Sequence, residues 1–239
     1  MEEESPAVEI SEVDHFYGHR QALTQVTFTV REGEIFGLLG PNGGGKTTLF
    51  RIVSTLFQAS SGSVRVFGHE TRADSDLVRQ SMGVVFQSFS LDKLLTVEEN
   101  LKCQGRLYGL SGSDLQNRIE DRLTKVGLRD RLKDRVGTLS GGMQRRVEIA
   151  KGLLHQPRLL LMDEPSTGLD PGARIDLWRY LKKLQQEEGT TIFLTTHLME
   201  EAEKCDRLGI LSKGKLSGLG SPQELKSEIG GEVVTLSVK

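Results

Sequence analysis

Residues 35–48 read IFGLLGPNGGGKTT, and this stretch decides the fold class. Ile35 to Leu39 is an unbroken apolar run, as expected of a central strand covered on both faces. Gly40, Pro41, Asn42, Gly43, Gly44 and Gly45 follow as a glycine-rich turn, and Lys46, Thr47 and Thr48 open a helix. Gly40, Gly45, Lys46 and Thr47 satisfy the spacing G-x-x-x-x-G-K-T in the strand–loop–helix context that gives it meaning. Glycines let backbone N–H groups turn inward around a phosphate. The new helix aims its unpaired N–H groups and positive dipole end at the same place. Lys46 adds a point charge for the outer phosphates and Thr47 a hydroxyl for Mg²⁺.

A nucleotide site of this kind needs a carboxylate for the metal, delivered by the end of a neighbouring strand. LLLMDE, residues 159–164, supplies it: apolar residues for a buried strand, then two acids. Asp163 is expected to bind Mg²⁺, directly or through water. Glu164 is expected to orient and deprotonate the attacking water. His197 closes a further apolar strand, Thr190 to Thr196, and is expected at the γ-phosphate or the water, because ligands collect at strand ends in such sheets. Gln87 follows the strand Met82–Phe86, where its neutral amide suits Mg²⁺ or water.

Strand and helix patterns alternate around these motifs, which argues for α/β with a largely parallel sheet and an antiparallel β part near the N-terminus. Val8–Asp14 and Gln25–Val30 alternate like half-buried strands, and Ser63–Phe67 reads as another. From Thr96 to about Gly137 the texture is helical, with Leu101, Leu107, Leu115, Ile119, Leu123 and Val126 recurring. We expect one domain over 1–239: an α/β core at about 8–95 and 155–229, and an inserted helical lobe at about 96–154. Between the strands at Leu159 and Ile192, a helix is expected to bury Ile175, Trp178, Leu181 and Leu184.

Composition narrows the function classes. The formal net charge is −2, with 31 basic and 33 acidic residues interspersed, so no basic stripe points to nucleic acid. The two cysteines, Cys103 and Cys205, stand in unrelated contexts with no metal spacing, which fits a reducing cytosol. The acidic Met-Glu-Glu-Glu start is unlike a signal peptide. No apolar run approaches the ~20 residues that cross a bilayer.

A second glycine-rich start occurs in TLSGGMQRR, residues 138–146. Ser140 fits an N-cap. Behind it Met143, Val147, Ala150 and Leu154 share a helix face. Gly141 and Gly142 uncover the first N–H groups at a cost in helix stability, so close backbone approach is required there. Ser140 lies at the far end of the inserted lobe and is not expected to fold back on its own Gly40–Thr48 loop. In a head-to-tail C₂ dimer, each Ser140 turn would face the other chain's Lys46 loop, with two nucleotides sandwiched between.

Together these motifs resemble the nucleotide-binding domain of ATP-binding cassette (ABC) transporters. GPNGGGKT is similar to the Walker A loop, LLLMDE to the Walker B strand and LSGGM, Leu139 to Met143, to the family signature. The family usually has Gln at Met143. The resemblance implies ATP and Mg²⁺ as ligands, Gln87 as the Q-loop glutamine, Ser166 to Asp170 as a D-loop with Asp170 crossing the dimer interface, and His197 as the switch histidine. It places Tyr17 where the family stacks an aromatic ring on adenine; a strand-end surface tyrosine is the other reading. LTVEENLKCQGRLYGL and HLMEEAEKCDRLGIL look like the branch that energises export of drugs, polysaccharides or sodium. GGEVVTLSVK, to residue 239, is similar to the start of a C-terminal extension in that branch. The resemblance implies a homodimer with an integral membrane permease as partner, at the cytoplasmic face of the membrane. An ABC-type mechanical ATPase on a soluble partner is the alternative. Phe89, Leu91, Leu94 and Leu95 are apolar for a loop; they either receive a helix of the partner or pack on the lobe.

Overall fold

The structure, a computed structural model, describes residues 6–228; the expected extension at 230–239 lies outside the described residues. A hairpin of β1 (Val8–Tyr17) and β2 (Arg20–Val30) opens the fold, and β3 (Ile35–Leu39) runs through the glycine-rich turn into α1 (Lys46–Val53). β4 (Ser61–Val66) and β5 (His69–Glu70) return to the hairpin and complete an antiparallel sheet of order β2-β1-β4-β5. β1 and β2 extend beyond the expected spans because Gly18, at φ 58°, closes a tight turn between them.

α2 (Ser75–Ser81) and β6 (Met82–Val85) lead to the lobe, where α3 (Val97–Leu107), α4 (Gly112–Lys125) and α5 (Gly141–Gly152) follow one another with no strand between. Thr96 starts α3 with a reciprocal capping box to Glu99. The strands resume with β7 (Leu159–Asp163), then α6 (Pro171–Glu188), β8 (Thr191–Thr196), α7 (Met199–Ala202), β9 (Arg207–Ser212), β10 (Lys215–Gly220) and α8 (Pro222–Glu228). The second sheet has the order β10-β9-β3-β8-β7-β6, parallel from β9 to β6 and antiparallel only at the β10 edge.

Alternate residues of β3, β7 and β8 serve separate cores. Phe36, Leu38, Leu159, Leu161 and Phe193 face the antiparallel sheet and α1. Ile35, Leu39, Leu160, Met162, Ile192 and Leu194 face α5, α6 and the lobe. Cover on both faces explains the unbroken apolar runs. Phe36 stacks on Phe28 at 5.1 Å and meets Phe193 edge-on at 5.4 Å; each such buried ring stabilises by roughly 1.5–3 kcal/mol.

Two expected core residues lie outside it. Ile175 is 56 % exposed because it lies off the face of α6 on which Leu177, Trp178, Leu181 and Leu184 are buried. Leu107 is 82 % exposed, since it lies off the Val97–Leu101–Gly105 face of α3 that the lobe buries. Leu91 packs in the lobe core, whereas Leu94 stands 79 % exposed. Among the described residues, no helix is long and apolar enough to cross a membrane.

Candidate functional site

Parallel pairing brings the C-terminal ends of β3, β6, β7 and β8 to one edge of the sheet, and the expected residues sit just beyond them. The turn after β3 is held on both sides. Gly40 N–H donates to Thr196 O at 3.2 Å, and Gly214 N–H donates to Gly44 O at 2.9 Å. A Cβ on Gly40 would lie 2.0 Å from Leu211 O, and Gly45 takes φ 108° to begin α1. Both positions therefore demand glycine. Lys46 is only 4 % exposed and its Nζ donates to Gly40 O at 2.8 Å and Pro41 O at 3.2 Å.

Glu164 collects the other functional groups. Its Oε1 lies 3.3 Å from Lys46 Nζ. Its Oε2 accepts from Gln87 Nε2 at 3.4 Å and Thr167 Oγ at 3.3 Å, and stands 3.1 Å from His197 Nδ1. The backbone of Glu164 takes φ 45°, an unfavourable conformation for a side chain of this size, and is fixed by its N–H donating to Thr195 Oγ at 3.0 Å. Asp163 is buried beside it and accepts from the Thr195 hydroxyl. Burial pushes its carboxyl above the ordinary aspartate range; Thr195 and Thr47 hydrogen bonds and the Lys46 charge oppose the push, while Glu164 adds to it.

A cleft of about 640 Å³ opens over this cluster, with walls that include Asn42, Gly43, Gly45, Lys46, Thr47, Thr48, Gln87 and Glu164. Tyr17 also lines it, with its hydroxyl 3.4 Å from Thr48 Oγ and its ring edge-on to His15 at 4.8 Å. The donor set suits Mg²⁺: the Thr47 hydroxyl and the Asp163 carboxylate are hard oxygens in mutual contact. Among the described residues no group of three or more His, Cys, Asp or Glu could hold a metal unaided. The remaining ligands must come from phosphate and water, the usual Mg²⁺ arrangement.

Sequence reasoning missed several parts. Arg20, Gln21, Lys213 and Gly214 also line the cleft. Lys213 and Gly214 form the β9–β10 turn that braces the phosphate loop, and no local pattern ties that turn to it. Thr195 could have been found as the inward polar residue of an apolar strand. Arg145, in the run MQRR, reads as solvated yet is 1 % exposed.

The second glycine-rich start stands apart. Ser140 caps α5, accepting from Met143 N–H at 3.3 Å. Gly141 has open space where its Cβ would be, whereas Gly142 packs against Ala173 at the start of α6. Asp170 caps α6 through Ala173 N–H at 2.9 Å and is exposed. Leu139 is buried, and Met143 packs against the core. None of Leu139 to Met143 lines the Lys46 cleft.

Comparison with known proteins gives concordant matches. Residues 23–167 match the family described as ABC transporter. The linearmycin resistance ATP-binding protein LnrL of Bacillus subtilis is 40 % identical over 91 % of this chain and 70 % of its own length. The Nod factor export ATP-binding protein I of Rhizobium sp. (strain N33) is 44 % identical over 96 % of this chain and 76 % of its own length. Among solved structures, the dimeric post-hydrolysis state of the ATP-binding cassette MJ0796, bound to ADP and Pi, superposes with a TM-score of 0.80 at 30 % identity, covering 90 % of this chain and 98 % of that one.

Proposed function

This chain belongs to the ABC transporter family and is an ATP hydrolase, and from that premise we propose that it powers export through a separate integral membrane permease, by ATP-driven closure and opening of a homodimer. One observation carries the reading: the Ser140–Met143 turn is outside the Lys46 cleft and Gly141 faces open space. A second copy, placed head to tail, brings that turn to the partner's nucleotide and makes two composite sites. The dimeric MJ0796 cassette, with ADP and Pi bound, supports this arrangement. Export as the direction is supported by the Nod factor export relative.

The chemistry follows from the residues. ATP phosphates enter the loop from Gly40 to Thr48 and take the Lys46 ammonium away from Gly40 O, Pro41 O and Glu164. Losing Lys46 frees one Glu164 oxygen, so phosphate binding and release of the base are one exchange. Glu164 then holds the attacking water and accepts its proton as the water oxygen bonds to the γ-phosphorus and the bond to ADP breaks. His197 and Gln87 orient that water or the γ-phosphate. Thr47 and Asp163, with Gln87, would hold Mg²⁺, which supplies charge for the phosphate oxygens. Tyr17 takes the base by stacking. Ser140, Gly141, Gly142 and Asp170 act on the partner's site. Leu94, exposed beside the Gln87 loop, offers a contact to the permease. The protein works at the inner, cytoplasmic face of the membrane, held there by its partner.

The test is recovery of tagged Glu164→Gln protein with ATP in mild detergent, followed by mass spectrometry. A multi-span membrane protein in near-equal amount supports the reading and names the permease. A soluble or ribosomal partner in its place leaves the ATPase standing and overturns the transport role.

A further inference from the structure

The helix that carries the Ser140–Gly142 turn also holds the loop that carries Gln87. Arg145, Glu148 and Lys151 recur on one face of α5 and all reach the segment 86–90. The Arg145 fork donates from Nη1 to Phe86 O and from Nη2 to Gln87 O, both at 2.7 Å. Its Cζ lies 4.7 Å from the centre of the Phe89 ring. Glu148 Oε1 accepts from Ser90 N–H at 2.7 Å and from Ser90 Oγ at 3.0 Å. Lys151 Nζ donates to Ser90 Oγ at 2.7 Å.

Arg145 is an expensive choice for this position. It is 1 % exposed, and its Nε has no hydrogen-bond partner among the described residues. Burial holds its guanidinium below the ordinary arginine range, opposed by the Glu148 charge. An apolar side chain would fill the space without desolvating a charge. What the guanidinium alone supplies is a rigid, planar bridge to two successive carbonyls.

We propose that Arg145 is a positioning residue that ties Gln87 to α5, so that the Ser140–Gly142 turn and the Gln87 amide move as one body. The inference rests on the roles given above to Gln87 and to the Ser140 turn, and it adds a consequence. Contact between one protomer's Ser140 turn and its partner's nucleotide is transmitted along α5 to Gln87, which lies 3.4 Å from Glu164 in the first protomer's own cleft. The two composite sites are thereby coupled through a buried side chain that touches neither nucleotide.

A double-mutant cycle on the intact protein tests this, with steady-state ATP hydrolysis as readout. Arg145→Lys keeps the charge and most of the volume but cannot bridge both carbonyls. It is expected to lower kcat on the order of tenfold, as loss of alignment does, with KM for ATP changed by less than about twofold. On a Gln87→Ala background the same substitution is expected to cost nothing further. Losses that multiply would show Arg145 acting independently of Gln87 and overturn the proposal. An unchanged kcat for Gln87→Ala alone would remove the reading of Gln87 beneath it, and the proposal with it. Should Arg145→Lys melt well below the parent, exposed Ser90→Ala loosens the same loop without touching the core. A smaller kcat loss that vanishes on the Gln87→Ala background supports the coupling, and one that persists there refutes it.

Discussion

The molecule starts two helices on glycine-rich turns, and they differ in how finished they are. The turn before α1 is enclosed: Gly40 is pressed against Leu211, Gly44 is bonded to the β9–β10 turn, and Lys46 is buried with its charge already spoken for by Glu164 and two carbonyls. The turn before α5 is capped by Ser140 and otherwise open, with nothing near a Gly141 Cβ. Both present backbone N–H groups to an anion, but only the first has the chemistry around it. Crowding requires glycine at Gly40, whereas Gly141 meets nothing and has no left-handed φ, so nothing inside the chain requires glycine there.

The sharpest way to break the comparison is at the enclosed turn's own carboxylate. Glu164→Gln should cut ATP turnover roughly 10²–10⁴-fold while leaving ATP able to bind, so that an ATP-dependent dimer accumulates on gel filtration. A protein that stays monomeric with ATP at high concentration would leave the open turn without its proposed occupant. Lys46→Ala comes next. Each charge-assisted bond it removes from the phosphates is worth about 1.5–3 kcal/mol. Fluorescent-nucleotide titration should therefore show ATP affinity weakened about tenfold or more; unchanged affinity would move the site elsewhere.

The glycines themselves give a smaller and more discriminating test. Gly40→Ala forces a Cβ to 2.0 Å from Leu211 O, so backbone must shift, at roughly 1–3 kcal/mol or more. Its melting temperature should fall. Gly141→Ala meets nothing and replaces a poor helix former, so the protomer should be as stable as the parent or stabler by up to about 1 kcal/mol. Yet its ATP-driven dimerisation should weaken, because the new methyl group stands where close backbone approach is needed. If Gly141→Ala dimerises like the parent, the open turn is only a capped helix start.

What the sequence revealed follows the same division. Motifs whose meaning is local, such as the loop at 40–48 and the strand-end acids 163 and 164, were legible because strand, turn and helix chemistry agree within a few residues. Ile175 and Leu107 stand outside the core because apolar residues at loose three- and six-residue spacing drift off the buried face, to which Leu177 and Leu181 of α6 and Leu101 and Gly105 of α3 belong. Arg145 was illegible for a different reason. Its charge reads as solvent-facing until the carbonyls of Phe86 and Gln87, distant in sequence, are brought to it. The Lys213–Gly214 turn is likewise a long-range neighbour of the phosphate loop with no signature of its own.

The smallest expected effect lies at the other end of α5, where the open helix is anchored. His155 stacks on Tyr108 at 3.7 Å and donates from Nε2 to Met82 O at 3.1 Å, joining the lobe to β6. Burial pulls its pKa from 6.5 down to about 4, with Arg118 adding to the fall and the Met82 bond opposing it. The folded state therefore prefers the neutral ring. Its contribution is complete above pH 6.5 and is lost progressively as pH falls from 6.5 toward 4, because the unfolded chain binds the proton first. Between pH 7 and 5 the loss should be on the order of 1 kcal/mol, or roughly 2–4 °C in melting temperature for a chain of this size. His155→Gln should flatten that part of the slope. Thermal melts at pH 7, 6 and 5 decide it: equal slopes in the two proteins would mean that the ring titrates alike in both states, and that the lobe is not anchored to the sheet by a half-buried neutral histidine.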